Sequence, residues 1–177
     1  MTTALTLLKE QIKSSRELFS GTIAHLTDDM VKHIPGGLAL PIGAVYAHLI
    51  LSEDMAIATF LMGEKPLYET SWREKTGISL PMPAMDASWS ENHRIWANTV
   101  VIDLQKLTAY ATAVHAQTDA YVATLTDADI EREIDLGAWG KQTAAQLISG
   151  WVIGHSLSLA GEISALKGVA GSVGYPF

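Results

Sequence analysis

The chain has 177 residues, a formal net charge of -7 at pH 7, and 48% hydrophobic against 18% charged residues, which suits a single domain spanning 1–177 that buries roughly 70% of its unfolded surface. With 12 Lys+Arg against 19 Asp+Glu and no basic run, there is no electrostatic footprint for a nucleic acid. The absence of cysteine removes disulfides, thiolate nucleophiles, iron-sulfur clusters and Cys-type zinc sites, so any metal depends on carboxylates and the six histidines.

The first element spans Thr3 to Leu26. Leu5, Leu8, Ile12, Phe19, Ile23 and Leu26 recur at steps of three and four, with Ser15 filling the gap, which is one stripe of an amphipathic helix. Gly21 costs this helix up to about 1 kcal/mol without breaking it. Lys9 and Glu10 interrupt the N-terminal sequence before a signal-peptide core can accumulate. A link containing Pro35-Gly36-Gly37 leads to a second helix, Pro41 to Met62, which opens with proline in its first turn and is closed by Gly63. The longest apolar stretch, Leu38 to Leu51, contains Pro41, Gly43 and His48 and falls short of the roughly 20 residues that span a bilayer. A cytoplasmic protein with no membrane partner is expected.

Residues 64–102 form a connection far longer than ordinary helix links, with Trp72, Trp89 and Trp96 along it and a short helix expected at Trp89 to Thr99. The third long helix runs from Asp103 to Leu125 with Leu104, Leu107, Ala111, Val114, Thr118, Tyr121 and Leu125 in near-heptad spacing, and Asp103 is placed to cap it. Thr126 to Asp129 reads as a capped helical turn, and Ile134 to Gly140 as an extended stretch ending in a turn. The fourth long helix begins at Thr143-Ala-Ala-Gln146, a capping box, and ends at Lys167, which complements its dipole, with Gly168 as the stop. Four helices with one apolar stripe each must cover one another. The economical architecture is an all-α four-helix bundle with a long crossover between helices 2 and 3.

His48 and His155 are the first candidates for chemistry. His155 keeps the three and four spacing of Ile148, Val152, Leu159, Glu162 and Leu166, so it shares their stripe, and His48 sits beside the stripe of the second helix. Two neutral imidazoles turned into one cleft suit a divalent ion. The same spacing also describes two core histidines, each hydrogen-bonded to a carbonyl or carboxylate.

Pro35-Gly-Gly, then Pro41-Ile-Gly-Ala-Val-Tyr-Ala-His48-Leu with Glu53, and finally Trp139-Gly-Lys-Gln-Thr-Ala-Ala-Gln-Leu followed by His155-Ser-Leu-Ser-Leu-Ala-Gly-Glu-Ile resemble, in this order and spacing, the DinB-like superfamily. The resemblance implies a bundle of the kind read above, a homodimer, and a divalent metal, zinc or nickel, held by three histidines. His48 and His155 match two of those ligands; the third position, four residues after His155, is Leu159, which has no lone pair to offer. Glu162 lies roughly 10 Å along the axis from His155, too far to share its ion easily. Replacement ligands could come from His33 or His93 in the connections, or from Glu53 or Asp54, all of which also read as solvated surface groups. His115 faces either the interior or a subunit interface, and His25 lies where a cation compensates the first helix dipole.

The resemblance implies a metal-dependent enzyme of the thiol-dependent transferase or isomerase type, here with an altered two-histidine site. On the residues themselves, Glu162 is a candidate base if buried or else a structural hydrogen-bond partner near His155, and the crossover tryptophans either wall the pocket or pin the crossover to the bundle. Catalytic residues cannot be named from the sequence. The alternative is a non-catalytic protein that lost the metal and kept the cleft for a small-molecule ligand, or only its dimer interface.

Overall fold

The computed structural model describes residues 3–177, apart from the side chain of Ala138. Helix α1 (Ala4–Ile23) starts where the Thr3 hydroxyl accepts the Thr6 amide. A single turn, α2 (Asp28–Lys32), precedes α3 (Ile42–Met55), which continues through a π-helical turn, Ala56–Met62, to Gly63 in the left-handed conformation at φ 71°. Within the crossover, a 3-10 turn at Leu67–Glu69 and helix α4 (Trp89–Thr99) are the helical pieces, and α4 has the bounds expected from its sequence. Helix α5 (Leu104–Thr124) is capped by Asp103. The turn α6 (Asp127–Ile130) is closed by a reciprocal Thr126/Asp129 box, and α7 (Ala144–Leu147) by the Thr143/Gln146 box. Helix α7 passes through a second π-helical stretch, Ile148–Gly154, into α8 (His155–Val169).

The fold is all-α, with the expected long runs packed as α1 on α8, α8 on α3 and α3 on α5. Phe19 and Tyr46 meet at ring centroids 5.3 Å apart in the core, and Ile50, Leu107, Val114, Ala160 and Ile163 are buried with them. A second part of the core joins the start of α1 to both π segments through Leu8, Ile12, Ile57, Leu61, Leu147 and Ile148. Burial of this kind stabilises by about 1.5–3 kcal/mol per large aliphatic side chain.

Four details differ from the sequence reading. The stretch after α6 is a two-stranded ribbon, β1 (Glu133–Asp135) antiparallel to β2 (Lys141–Thr143), because the Gly137–Trp139 turn folds it back. Helix α8 runs past Gly168 to Val169, and the left-handed residue beyond its end is Gly171 at φ 79°. The Lys167 ammonium, 3% exposed, donates to the carbonyls of Thr22 at 2.6 Å, Ala24 at 3.2 Å and Gly174 at 3.5 Å. It therefore satisfies the free end of α1 and ties down the C-terminal tail, in addition to standing in the last turn of its own helix. Finally, Ile42–Met62 is a continuous helical run of 21 residues, long and apolar enough to cross a membrane; 72% of its apolar window is buried inside the bundle, so its hydropathy is that of a core helix.

The crossover returns to the bundle at Gly77. At φ 77° a side chain is strained there, and a Cβ would lie 2.6 Å from the Asp103 carbonyl oxygen. The absent side chain lets the Asp103 amide reach the Gly77 carbonyl at 2.8 Å and Ile78 bridge to Ile102. At the end of α1, His25 takes the left-handed conformation at φ 65°. That conformation costs an L side chain about 1 kcal/mol or more. His25→Gly should therefore raise the unfolding free energy by about 1 kcal/mol; urea denaturation checks this, and an unchanged or lowered stability would show that the imidazole contributes a compensating contact.

Candidate functional site

The last turn of α3 carries three polar side chains in succession, Ser52, Glu53 and Asp54, all buried. Burying a carboxylate is costly unless donors surround it. Glu53 points toward α1 and α5, where it accepts from Thr118 at 2.7 Å and Arg16 at 3.2 Å, with His115 Nε2 3.8 Å away. Arg16 reaches on to Asp119. Asp54 points the other way, toward the crossover. It accepts the backbone amides of Leu67 at 3.0 Å and Tyr68 at 3.1 Å and the Tyr110 hydroxyl at 2.6 Å. Burial raises its carboxyl and the hydrogen bonds oppose that rise. Both acids offered as replacement ligands are thus committed elsewhere. Glu53 joins three helices, and Asp54 anchors the start of the crossover.

With the crossover fixed there, α4 lies against α3. Its residues Trp89, His93 and Trp96, spaced by four and three, share one face. His93 is stacked between the two indoles, at 4.7 Å from Trp89 and 5.4 Å from Trp96 between ring centroids. Trp96 is itself held by its indole N–H donating to the Leu80 carbonyl at 3.1 Å. This face meets His48. The His48 ring lies 4.6 Å from that of His93 and 4.9 Å from that of His155, in edge contacts, and 5.7 Å from that of Trp89. His48 and His155 do converge, and of the four replacement candidates only His93 joins them.

His155 reaches this cleft from the flank of α8. The buried stripe of that helix is Ser156, Ala160, Ile163 and Lys167, one position beyond the stripe expected from Ile148 and Val152. The π-helical stretch Ile148–Gly154 explains the shift, because its wider turn absorbs one extra residue and resets the phase. His155, Leu159, Glu162 and Leu166 are consequently half-buried. Leu159 packs against the core.

Three imidazoles in contact cannot all be charged. Burial pushes His48 down to about 3, with the neighbouring His155 and His93 adding to the effect, and burial also lowers His93 and His155. All three present neutral nitrogens at pH 7. His48 Nδ1 lies 3.4 Å from the Met82 sulfur, whereas His93 Nε2 is buried without a hydrogen-bond partner. An unpartnered buried group of this kind costs about 1–3 kcal/mol.

The remaining candidates lie elsewhere. His33 is exposed beside Pro35 and Leu166, and His115 faces the interior network of Glu53. Burial raises the Glu162 carboxyl. Trp72 packs on Tyr110 rather than on the histidines, with ring centroids 5.8 Å apart, so two of the three crossover tryptophans wall the cleft. A hollow of about 560 Å³ adjoins it, lined by Leu51, Met55, Tyr68, Ile78, Met82 and Met85 among others.

Among the described residues, no three His, Cys, Asp or Glu side chains stand as a group that could hold a metal ion. The imidazoles are gathered by their rings, with their nitrogens not converged on one point. The cleft offers three neutral imidazoles, of which His93 leaves its buried Nε2 without a hydrogen-bond partner.

The model of the DinB superfamily matches residues 11–157, and the chain belongs to that superfamily. Its fold is similar to that of a solved structure described as a conserved protein from Enterococcus faecalis. The two share 23% identity and a TM-score of 0.75, over 94% of this chain and 96% of that one. No curated protein matches.

The depressed histidines predict a direction of pH dependence. Each has a folded pKa below its unfolded value near about 6.5, so the neutral cluster contributes its stability above that pH and loses it as pH falls toward the folded values. In EDTA-treated protein, the urea midpoint should fall between about pH 7 and about pH 4.5, and less steeply in His48→Asn. Equal slopes in the two proteins would contradict the neutral, buried assignment of His48.

Proposed function

We propose that this DinB-superfamily protein binds a divalent metal, zinc or nickel, in an altered site in which His93 from the crossover helix replaces the ligand lost at Leu159. The contact of His93 with His48, beside His155, carries this reading. Its unpartnered Nε2 supports it, since coordination would relieve the cost of that buried nitrogen. A divalent ion bound there would act as a Lewis acid, and in a thiol-dependent transferase or isomerase would lower the pKa of a thiol. The chain has no cysteine, so such a thiol belongs to a small-molecule cofactor.

The chain's own residues would hold and enclose the site. Trp89 and Trp96 clamp the His93 ring and reduce the conformational freedom that a ligand must lose on binding. The hollow beside Met82 is large enough for a small organic ligand. The homodimer implied by the resemblance is part of the proposal, and the mass in solution tests it.

Elemental analysis of protein purified without a metal-affinity tag should find one ion per chain in the wild type, with most of it lost in His48→Ala, His93→Ala and His155→Ala. A wild type without metal, also after incubation with zinc or nickel, would favour the non-catalytic ligand-binding alternative. Loss in His48→Ala and His155→Ala but not in His93→Ala would remove the crossover ligand from the account. Leu159→His offers a second nitrogen one turn from His155 and should tighten zinc binding by about tenfold or more. An unchanged affinity would show that position 159 does not face the ion.

A further inference from the structure

The hollow beside the imidazole cleft has a chemistry of its own. It measures about 560 Å³ and lies between the last turns of α3 and the first half of the crossover, within the roughly 300–1,000 Å³ of small-molecule pockets. Its lining is mainly apolar, with Met55 from α3 and Met82, Met85 and Tyr68 from the crossover all half-buried. Methionine adapts to the shape it meets, and its sulfur makes favourable contacts with aromatic rings. Glu69 and Glu74 are the charged residues of the lining, and no lysine, arginine or histidine joins them there. Both are exposed, and among the described residues neither forms an ion pair. Lys75, next in the chain to Glu74, donates instead to the Ser71 carbonyl at 3.2 Å. Burial and the Glu69 carboxylate push the Tyr68 hydroxyl up to about 12, so the phenol stays neutral at pH 7 and its ring face remains attractive to a cation.

We propose that this hollow binds a small organic cation, an ammonium group carried on an aromatic body, with the methionines and Tyr68 enclosing the body and Glu69 and Glu74 receiving the ammonium. An organic anion would meet two carboxylates without partners in a chain of net charge -7. A neutral molecule of the same shape would cover the same apolar lining but leave both carboxylates unpaired. Ion pairs at an exposed rim contribute modestly, so the apolar lining supplies most of the affinity and the carboxylates supply the choice of charge. Asp54, which receives the Leu67 and Tyr68 amides, also fixes the wall that carries Tyr68 and Glu69. This cation is the small organic ligand given to the hollow above, and its binding needs no ion in the imidazole cleft. Met82 connects the two places, since its sulfur lies 3.4 Å from His48 Nδ1.

The test is isothermal titration calorimetry on EDTA-treated protein, repeated after incubation with zinc, using probes of one shape and different charge: phenethylammonium, phenethyl alcohol and hydrocinnamate. The ammonium should bind at one site per chain and about fivefold or more tightly than the alcohol, with the carboxylate weakest. Raising the ionic strength should narrow the gap between ammonium and alcohol. In the double variant Glu69→Gln/Glu74→Gln the ammonium should weaken by about fivefold, to the level of the alcohol, while the alcohol changes by less than about twofold. Met85→Ala should weaken ammonium and alcohol alike. Circular dichroism checks that each variant is folded, and should the double variant not fold, a loss of about twofold in each single variant decides. Equal binding of ammonium and alcohol, tighter binding of the carboxylate, an unchanged ammonium affinity in the double variant, or no ammonium binding at about 5 mM would overturn the inference. Charge-selective binding in a protein that takes up no zinc would support it and remove the ion from the cleft. Zinc uptake without ammonium binding would overturn it and leave the three-imidazole reading standing.

Discussion

A buried carboxylate on α3 holds the crossover in place, and the composition of the site depends on it. Asp54 is 1% exposed and receives two backbone amides and a phenol. Hydrogen bonds to a charged acceptor contribute about 1.5–3 kcal/mol each, enough to fix the beginning of a segment that has little secondary structure of its own. From that anchor the chain makes its return at Gly77 and Ile78, and α4 is laid on α3 with the Trp89, His93 and Trp96 face inward. Glu53, one residue earlier, points to the opposite side and secures α1 and α5. Adjacent carboxylates thereby stabilise two different halves of the fold, and neither is left for an ion.

The second constraint is the phase of α8. A regular helix from Thr143 would carry His155 inside the apolar stripe, among side chains that leave no room for a ligand. The π-helical stretch turns the stripe by one residue, puts Ser156 in the core and leaves His155 on the flank beneath the crossover. The corresponding π turn in the continuation of α3 lies beyond His48, so that histidine keeps the register of its helix. Local widening of this kind is common where a helix must present a functional side chain.

How much of this was legible in the sequence depends on how local each signal is. The long helices and their Asp103 and Thr143 caps followed from periodicity and capping chemistry, which act within a few residues, whereas the Thr3 cap was not read and α4 was expected without a decisive period. The pairing of His48 with His155 followed from family resemblance. The role of His93 could only be raised as one option among four, because no local pattern says which part of a 39-residue crossover, 64–102, folds back on the bundle. The signal was nevertheless present as Trp89, His93 and Trp96 at helical spacing, an aromatic face on a short helix that had to be covered by something. The π shift in α8 and the reach of Lys167 to the end of α1 depend on tertiary packing and left no mark on periodicity. Met82 gave no sequence signal at all, since a methionine in a loop is ordinary.

The account stands on one dependency: Asp54 holds the crossover, and the crossover supplies His93 to His48 and His155. A double-mutant cycle on zinc affinity with Asp54→Asn and His93→Ala measures it directly. Each single variant should weaken binding, and in the Asp54→Asn background the further loss of His93 should change the affinity little, because the histidine has already been released. Full additivity of the two losses, or an Asp54→Asn protein that binds zinc as tightly as the wild type, would contradict it.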